Sequence, residues 1–120
     1  MPPDAAAVGR MTADELKGWL DRGEPVAVLD VREDDERAFC AIAVPPTVAD
    51  LHIPLGRVMS RLAEVRRAAA AAPLVVYCHH GVRSLAVAQW LAAQGVDRVQ
   101  NLDGGIDAWS VRVDPAVPRY

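Results

Sequence analysis

The residues best equipped for chemistry are Cys78, Arg83 and Ser84, carried in the run Val75-Val76-Tyr77-Cys78-His79-His80-Gly81-Val82-Arg83-Ser84. The cysteine follows an apolar, partly β-branched stretch, residues 74–77, that starts after Pro73. The residues after Ser84, Leu85-Ala86-Val87-Ala88-Gln89-Trp90-Leu91, read as a helix that stops at Gly95. A strand, a tight loop and a helix in that order place a thiol beside backbone N–H groups and the positive end of a helix dipole, which lower its pKa and hold anions. The carboxyl end of a strand is also where open α/β sheets place their ligands. An inert buried thiol is the competing reading of such a cysteine, but a polar His-His-Gly loop with an adjacent Arg suits an exposed turn better. No metal is expected: His79 and His80 are consecutive and cannot easily converge on one ion with Cys78, and the chain has no CxxC or HxxxH spacing.

The elements that must hold this loop are an alternation of helices and strands, which predicts an α/β domain with a parallel sheet covered on both faces. Thr12-Ala13-Asp14-Glu15 is a capping-box pattern opening a helix with Leu16, Trp19 and Leu20 that should stop at Gly23. A buried strand follows over 26–31, a short helix over 34–39, a strand region over 52–55 and a longer helix over 56–72 with Val58, Leu62 and Val65 at helical spacing. The arginines of that helix (57, 61, 66 and 67) form a solvated face. With 120 residues and 52 % apolar content the chain is one compact domain, and a net charge of −3 gives no basic footprint for nucleic acid. No run is long and apolar enough for a membrane span, and two cysteines make no disulfide framework, so the expected location is the cytoplasm.

Counting the loop narrows the chemistry. Cysteine phosphatases use Cys-x5-Arg-Ser/Thr, whereas Cys78 and Arg83 are separated by four residues, a tighter Cys-x4-Arg-Ser cradle. With this loop the sequence resembles the rhodanese family of sulfurtransferases. The resemblance extends to Val28-Leu29-Asp30-Val31-Arg32-Glu33 with Glu36 (an Asp-Val-Arg motif), to Leu51-His52-Ile53-Pro54-Leu55 (an Ile-Pro-Leu segment), and to Asn101-Leu102-Asp103-Gly104-Gly105-Ile106-Asp107-Ala108-Trp109 (a Gly-Gly-x-x-Ala-Trp motif). One stretch departs from the family: where a Gly-His-Ile-x-Gly-Ala segment is common, residues 39–50 carry Pro45-Pro46, whose extended preference lets this connection rim the active site on a different path.

The resemblance implies a single rhodanese-like domain over 1–120, with a mostly parallel five-stranded sheet, a motif-bearing core over about 12–110 and an extended strap over 111–120. It further implies that Cys78 is the catalytic nucleophile and carries a persulfide, with no metal or organic cofactor. His79, His80, Gly81, Val82, Arg83 and Ser84 would bind the substrate, Arg83 by orienting an anionic sulfur donor. Asp30 and Arg32 are expected as a supporting ion pair, with Glu36 or loop backbone as partners, because a carboxylate beside a thiolate would oppose its ionisation. His52 is expected as a strand residue with a satisfied ring, Cys40 as a packed thiol, and Asp103-Gly104-Gly105 as a turn passing close to the active loop. The implied partners are a small anionic donor and a thiol, cyanide or protein acceptor, with a ubiquitin-like sulfur carrier as one candidate. That candidate rests on the ending from Trp109 to Tyr120, which resembles rhodanese domains fused to the activating enzymes of such carriers; its structural alternative is a proline-held strap packed back on the domain by Val117 and Tyr120. The competing functions are a cysteine-dependent phosphatase or arsenate reductase, and a non-catalytic rhodanese-like binding module.

Overall fold

A computed structural model describes residues 8–120. Five strands, β1 (Val8–Met11), β2 (Ala27–Asp30), β3 (Ala49–His52), β4 (Leu74–Tyr77) and β5 (Val99–Leu102), form one sheet in the order β1-β5-β4-β2-β3. Every neighbouring pair is parallel, so all the strand carboxyl ends lie along one edge. The helices are α1 (Ala13–Asp21), α2 (Asp34–Phe39), α3 (Leu62–Ala71), α4 (Val82–Ala93) and α5 (Gly105–Arg112).

The central strands β2 and β4 are buried on both faces, and their alternation divides the core in two. Leu29, Leu74 and Val76 join Val65 and Ala69 of α3 and Val87, Ala88 and Leu91 of α4. Val28, Val75 and Tyr77 face the other way, onto Ala13 and Leu16 of α1 and Ile106 and Trp109 of α5. Each fully buried aliphatic side chain in these layers contributes about 1.5–3 kcal/mol relative to exposure. The capping box that opens α1 is reciprocal: Thr12 Oγ1 accepts from Glu15 N at 3.1 Å and Glu15 Oε1 accepts from Thr12 N at 3.1 Å.

Three expectations change. The strand region expected over 52–55 lies three residues earlier, at Ala49–His52, where it pairs with β2. The helix expected over 56–72 begins as two 3₁₀ turns, Leu55–Arg57 and Met59–Arg61, and becomes α-helical only at Leu62. The Ser60 hydroxyl competes there with the backbone, donating to Arg57 O at 3.0 Å. The Pro45-Pro46 turn does not rim the active site. Pro45 lies with Leu20, Pro25 and Val26 at the amino end of β2, the sheet edge opposite Cys78. The start of this connection meets the strap and Arg32: the Phe39 ring packs edge-on with Tyr120, and Cys40 O accepts from Arg32 Nη2. Residues 1–7, included in the domain expected over 1–120, lie outside the described residues.

Candidate active site

Cys78 is the first residue after β4, and its loop closes at Gly81, whose φ of 101° leads directly into α4. That turn folds two amides back onto the thiol. Gly81 N donates to Cys78 Sγ at 3.1 Å and Ser84 N at 3.4 Å. Burial pushes the thiol up, but hydrogen bonding from Ser84 and the Gly81 amide and the charge of Arg83 together bring it below its ordinary value. Cys78 is only 1 % exposed.

The loop is held from below by β5 and α5. Asn101, buried in β5, donates from Nδ2 to Gly81 O at 3.1 Å and accepts from Ser84 Oγ at 2.6 Å, clamping both residues whose amides meet the sulfur. The first turn of α5 supplies two further donors, Ile106 N to Cys78 O at 2.9 Å and Asp107 N to His79 O at 3.0 Å. This close approach requires Gly105: a Cβ there would stand 2.5 Å from both Cys78 O and His79 O, and its φ of 60° is left-handed. Ser84 therefore spends its hydroxyl on Asn101, a residue to which the sequence reading assigned no role. A polar side chain inside an otherwise buried strand was the available signal.

The other side of the loop is built from side chains. Arg83 is forked onto Glu36 of α2, with Nη1 donating to Oε1 at 2.7 Å and Nη2 to Oε2 at 2.9 Å. The Arg83 fork, aided by the Glu33 amide and the Tyr120 hydroxyl, overcomes burial and draws the Glu36 carboxyl down to about 2. Tyr120 donates its hydroxyl to Glu36 Oε2 at 2.8 Å and accepts from Arg32 Nη1 at 3.0 Å. Its ring stacks on His79 at 3.8 Å between centroids and 5° between planes, and meets the edge of Phe39. Burial, partly opposed by Arg32, holds the Tyr120 phenol up to about 12, so it keeps its proton as the donor to Glu36.

Asp30 and Arg32 form a fully buried fork, Arg32 Nε to Oδ1 at 2.9 Å and Nη2 to Oδ2 at 2.8 Å. The remaining Arg32 donors go to Cys40 O at 2.6 Å, to Tyr120 and to Glu36 O at 3.4 Å. The pair thus supports the end of α2 and the strap, and makes no hydrogen bond to residues 78–84. His52 donates from Nε2 to Arg32 O at 2.9 Å, a satisfied ring. His79 and His80 do come together despite being consecutive, with their rings stacked at 3.9 Å and Asp107 alongside. Stacked rings present parallel nitrogen lone pairs, and Arg119 already forks onto Asp107 at 2.8 and 3.2 Å. Val82 is 79 % exposed on the rim of a cavity of about 440 Å³ that it shares with His80, Gly81 and Leu85.

The chain carrying this cradled cysteine matches the family model of the rhodanese-like domain over residues 12–112. The chain belongs to the rhodanese family. It is 31 % identical to the probable adenylyltransferase/sulfurtransferase MoeZ of Mycobacterium tuberculosis over 97 % of this chain and 28 % of that protein. It is 57 % identical to the thiosulfate sulfurtransferase GlpE of Shewanella oneidensis over 37 residues, 31 % of this chain and 37 % of that protein. The chain thus spans about a quarter to a third of these curated relatives. Among solved structures, a rhodanese-like domain protein from Staphylococcus aureus superposes with a TM-score of 0.73 at 31 % identity, covering 94 % of this chain and 99 % of the other. No helix among the described residues is long and apolar enough to cross a membrane.

Proposed function

We propose that the protein is a sulfurtransferase that moves a sulfane sulfur from thiosulfate or a persulfide donor to a thiol, cyanide or protein acceptor through a persulfide on Cys78. The observation that carries this reading is the convergence of the Gly81 and Ser84 amides on Cys78 Sγ, 3.1 and 3.4 Å away, in a loop where Arg83 adds positive charge. In the first half-reaction the Cys78 thiolate attacks the outer sulfur of thiosulfate. A new S–S bond forms, the old one breaks, and sulfite leaves with the electron pair, so the negative charge now sits on the terminal persulfide sulfur. The Gly81 and Ser84 amides hold the attacking Cys78 Sγ as its charge passes into the new bond, and losing one such donor costs about 3 kcal/mol of transition-state stabilisation. In the second half-reaction the acceptor attacks that terminal sulfur and leaves as thiocyanate or a persulfide, returning Cys78 to its thiolate. The cycle is ping-pong and needs no group beyond the sulfur itself.

The names of the longer relatives, adenylyltransferase/sulfurtransferases, support a protein acceptor, for which a ubiquitin-like sulfur carrier is proposed. The decisive experiment is sulfite and thiocyanate release from thiosulfate and cyanide, run beside a phosphate-ester assay. Cys78→Ser should abolish turnover and the one-sulfur mass increase on the Cys78 peptide while leaving the melting temperature within a few degrees. Turnover surviving in Cys78→Ser would overturn the mechanism.

A further inference from the structure

Cys78 must meet a second reactant, yet almost none of its surface reaches solvent. Something over it has to move. The loop itself is a poor candidate, because Asn101 clamps Gly81 and Ser84 from one side and the amides of Ile106 and Asp107 hold the carbonyls of Cys78 and His79 from the other. The opposite wall is a bridge of side chains. His79 carries the Tyr120 ring, the Tyr120 hydroxyl reaches Glu36, and Glu36 forks onto Arg83. Its two ends, His79 and Arg83, are loop residues on either side of Gly81, so the bridge spans the loop that begins at Cys78.

The weak member of that bridge is Tyr120. The strap is anchored at Val117, which is buried, receives the Ser110 hydroxyl on its carbonyl and closes a turn on Asp114. Past Val117, the residues Pro118, Arg119 and Tyr120 are held by the exposed Arg119–Asp107 pair and by Tyr120 itself, which is 43 % exposed. Pro118 is the natural pivot of this short arm, since it donates no backbone hydrogen bond.

We infer that Tyr120 is a specificity-determining residue of the active site: its ring and hydroxyl close the mouth over Cys78, and the ease with which they are displaced sets the size of the sulfur acceptor that reaches the persulfide. Small reactants pass with little displacement of the arm, whereas a peptide or protein thiol must lift it. The acceptor part of this inference rests on the sulfur-transfer reading; the closure of the mouth does not.

The experiment uses a Cys40→Ser background, in which Cys78 is the only thiol. Alkylation rates of Cys78 are measured against pH with iodoacetamide and with a bulky N-aryl maleimide. Tyr120→Ala should raise the high-pH plateau about tenfold with the maleimide and two- to threefold with iodoacetamide, with the midpoint of the profile unchanged. Tyr120→Phe, which keeps the stack on His79 but loses the link to Glu36, should fall between wild type and Tyr120→Ala. In turnover, Tyr120→Ala should raise kcat/KM for glutathione as acceptor about tenfold and leave that for cyanide within twofold. A merely structural strap would lower the melting temperature without this dependence on reagent size. Equal plateaus for wild type and both variants, or acceleration that is the same for the two reagents, would overturn the inference even in an enzyme that turns over thiosulfate. Absence of sulfite release in the wild type would overturn the sulfur-transfer reading alone, because the alkylation rates are read without turnover.

Discussion

The two walls of the Cys78 loop are made of different materials. Toward β5 and α5 the contacts are backbone amides and one buried Asn, packed so closely that only glycine fits at position 105. Toward α2 and the strap they are long side chains, Glu36, Arg83, Arg32 and Tyr120, meeting through hydrogen bonds between charged and phenolic groups. The first wall sets the geometry at the sulfur, because its atoms fix the carbonyls and amides of the loop. The second sets access and charge, because its outer members Arg83 and Tyr120 reach solvent, the Arg83 side chain 37 % exposed and Tyr120 43 %. Damage to the backbone wall should therefore be severe and structural, and damage to the side-chain wall milder and condition-dependent.

The most severe expected change is Gly105→Ala. The added methyl meets two backbone carbonyls rather than a yielding side chain, and the left-handed backbone adds strain, so either α5 or the loop must retreat. Loss of about 3 kcal/mol of stability and of 100-fold or more in thiosulfate turnover is expected, by denaturant melts and steady-state rates. Near-normal turnover would mean that the α5 amides do not position Cys78.

Asn101→Ala should be intermediate. It deletes the partner of two buried groups, Gly81 O and Ser84 Oγ, at a cost of about 2 kcal/mol, and frees the two amide donors to drift from the sulfur. The midpoint of Cys78 alkylation against pH should move upward, since the amides stabilise the thiolate. A loss of stability with an unmoved midpoint would show that the cradle holds its shape without the clamp.

The same contrast explains what could be read from the chain. The backbone wall is local: strand, cysteine, tight loop and helix are contiguous, and the double glycine at 104–105 marks a close approach before any coordinates are known. The capping box of α1 and the short α2 are legible for the same reason. The side-chain wall joins residues 47 and 84 positions apart, Glu36 with Arg83 and with Tyr120, and nothing in local pattern ties them together. A free Arg83 ready for a donor is the natural sequence reading, and its fork onto Glu36 is visible only in three dimensions. Strands β1 and β5 are equally hard to delimit: Val8–Met11 is broken by a glycine and an arginine and Val99–Leu102 by two polar residues, four-residue runs too short for periodicity to separate from a turn.

The smallest effect expected is in the side-chain wall itself, as acid titration of the Glu36–Arg83 fork. Glu36 is depressed from 4.5 to about 2, first by its hydrogen bonds to Arg83. A carboxylate depressed in the folded state stabilises it at pH values above the ordinary 4.5, and that contribution is lost as pH falls through the window from 4.5 to 2. Because the Arg83 side chain is 37 % exposed, water screens the pair, and the contribution is discounted to about 1 kcal/mol. Glu36→Gln keeps an oxygen for the Tyr120 hydroxyl but carries no charge to titrate. Unfolding free energies of the two proteins, followed by urea melts between pH 5.5 and 2.5, should converge by about 1 kcal/mol toward acid, the wild type losing the advantage it holds at pH 5.5. Parallel curves would show that Arg83 is not held by Glu36 in solution, and the division between a rigid backbone wall and a charge-linked side-chain wall would have to be redrawn with Arg83 free at the mouth.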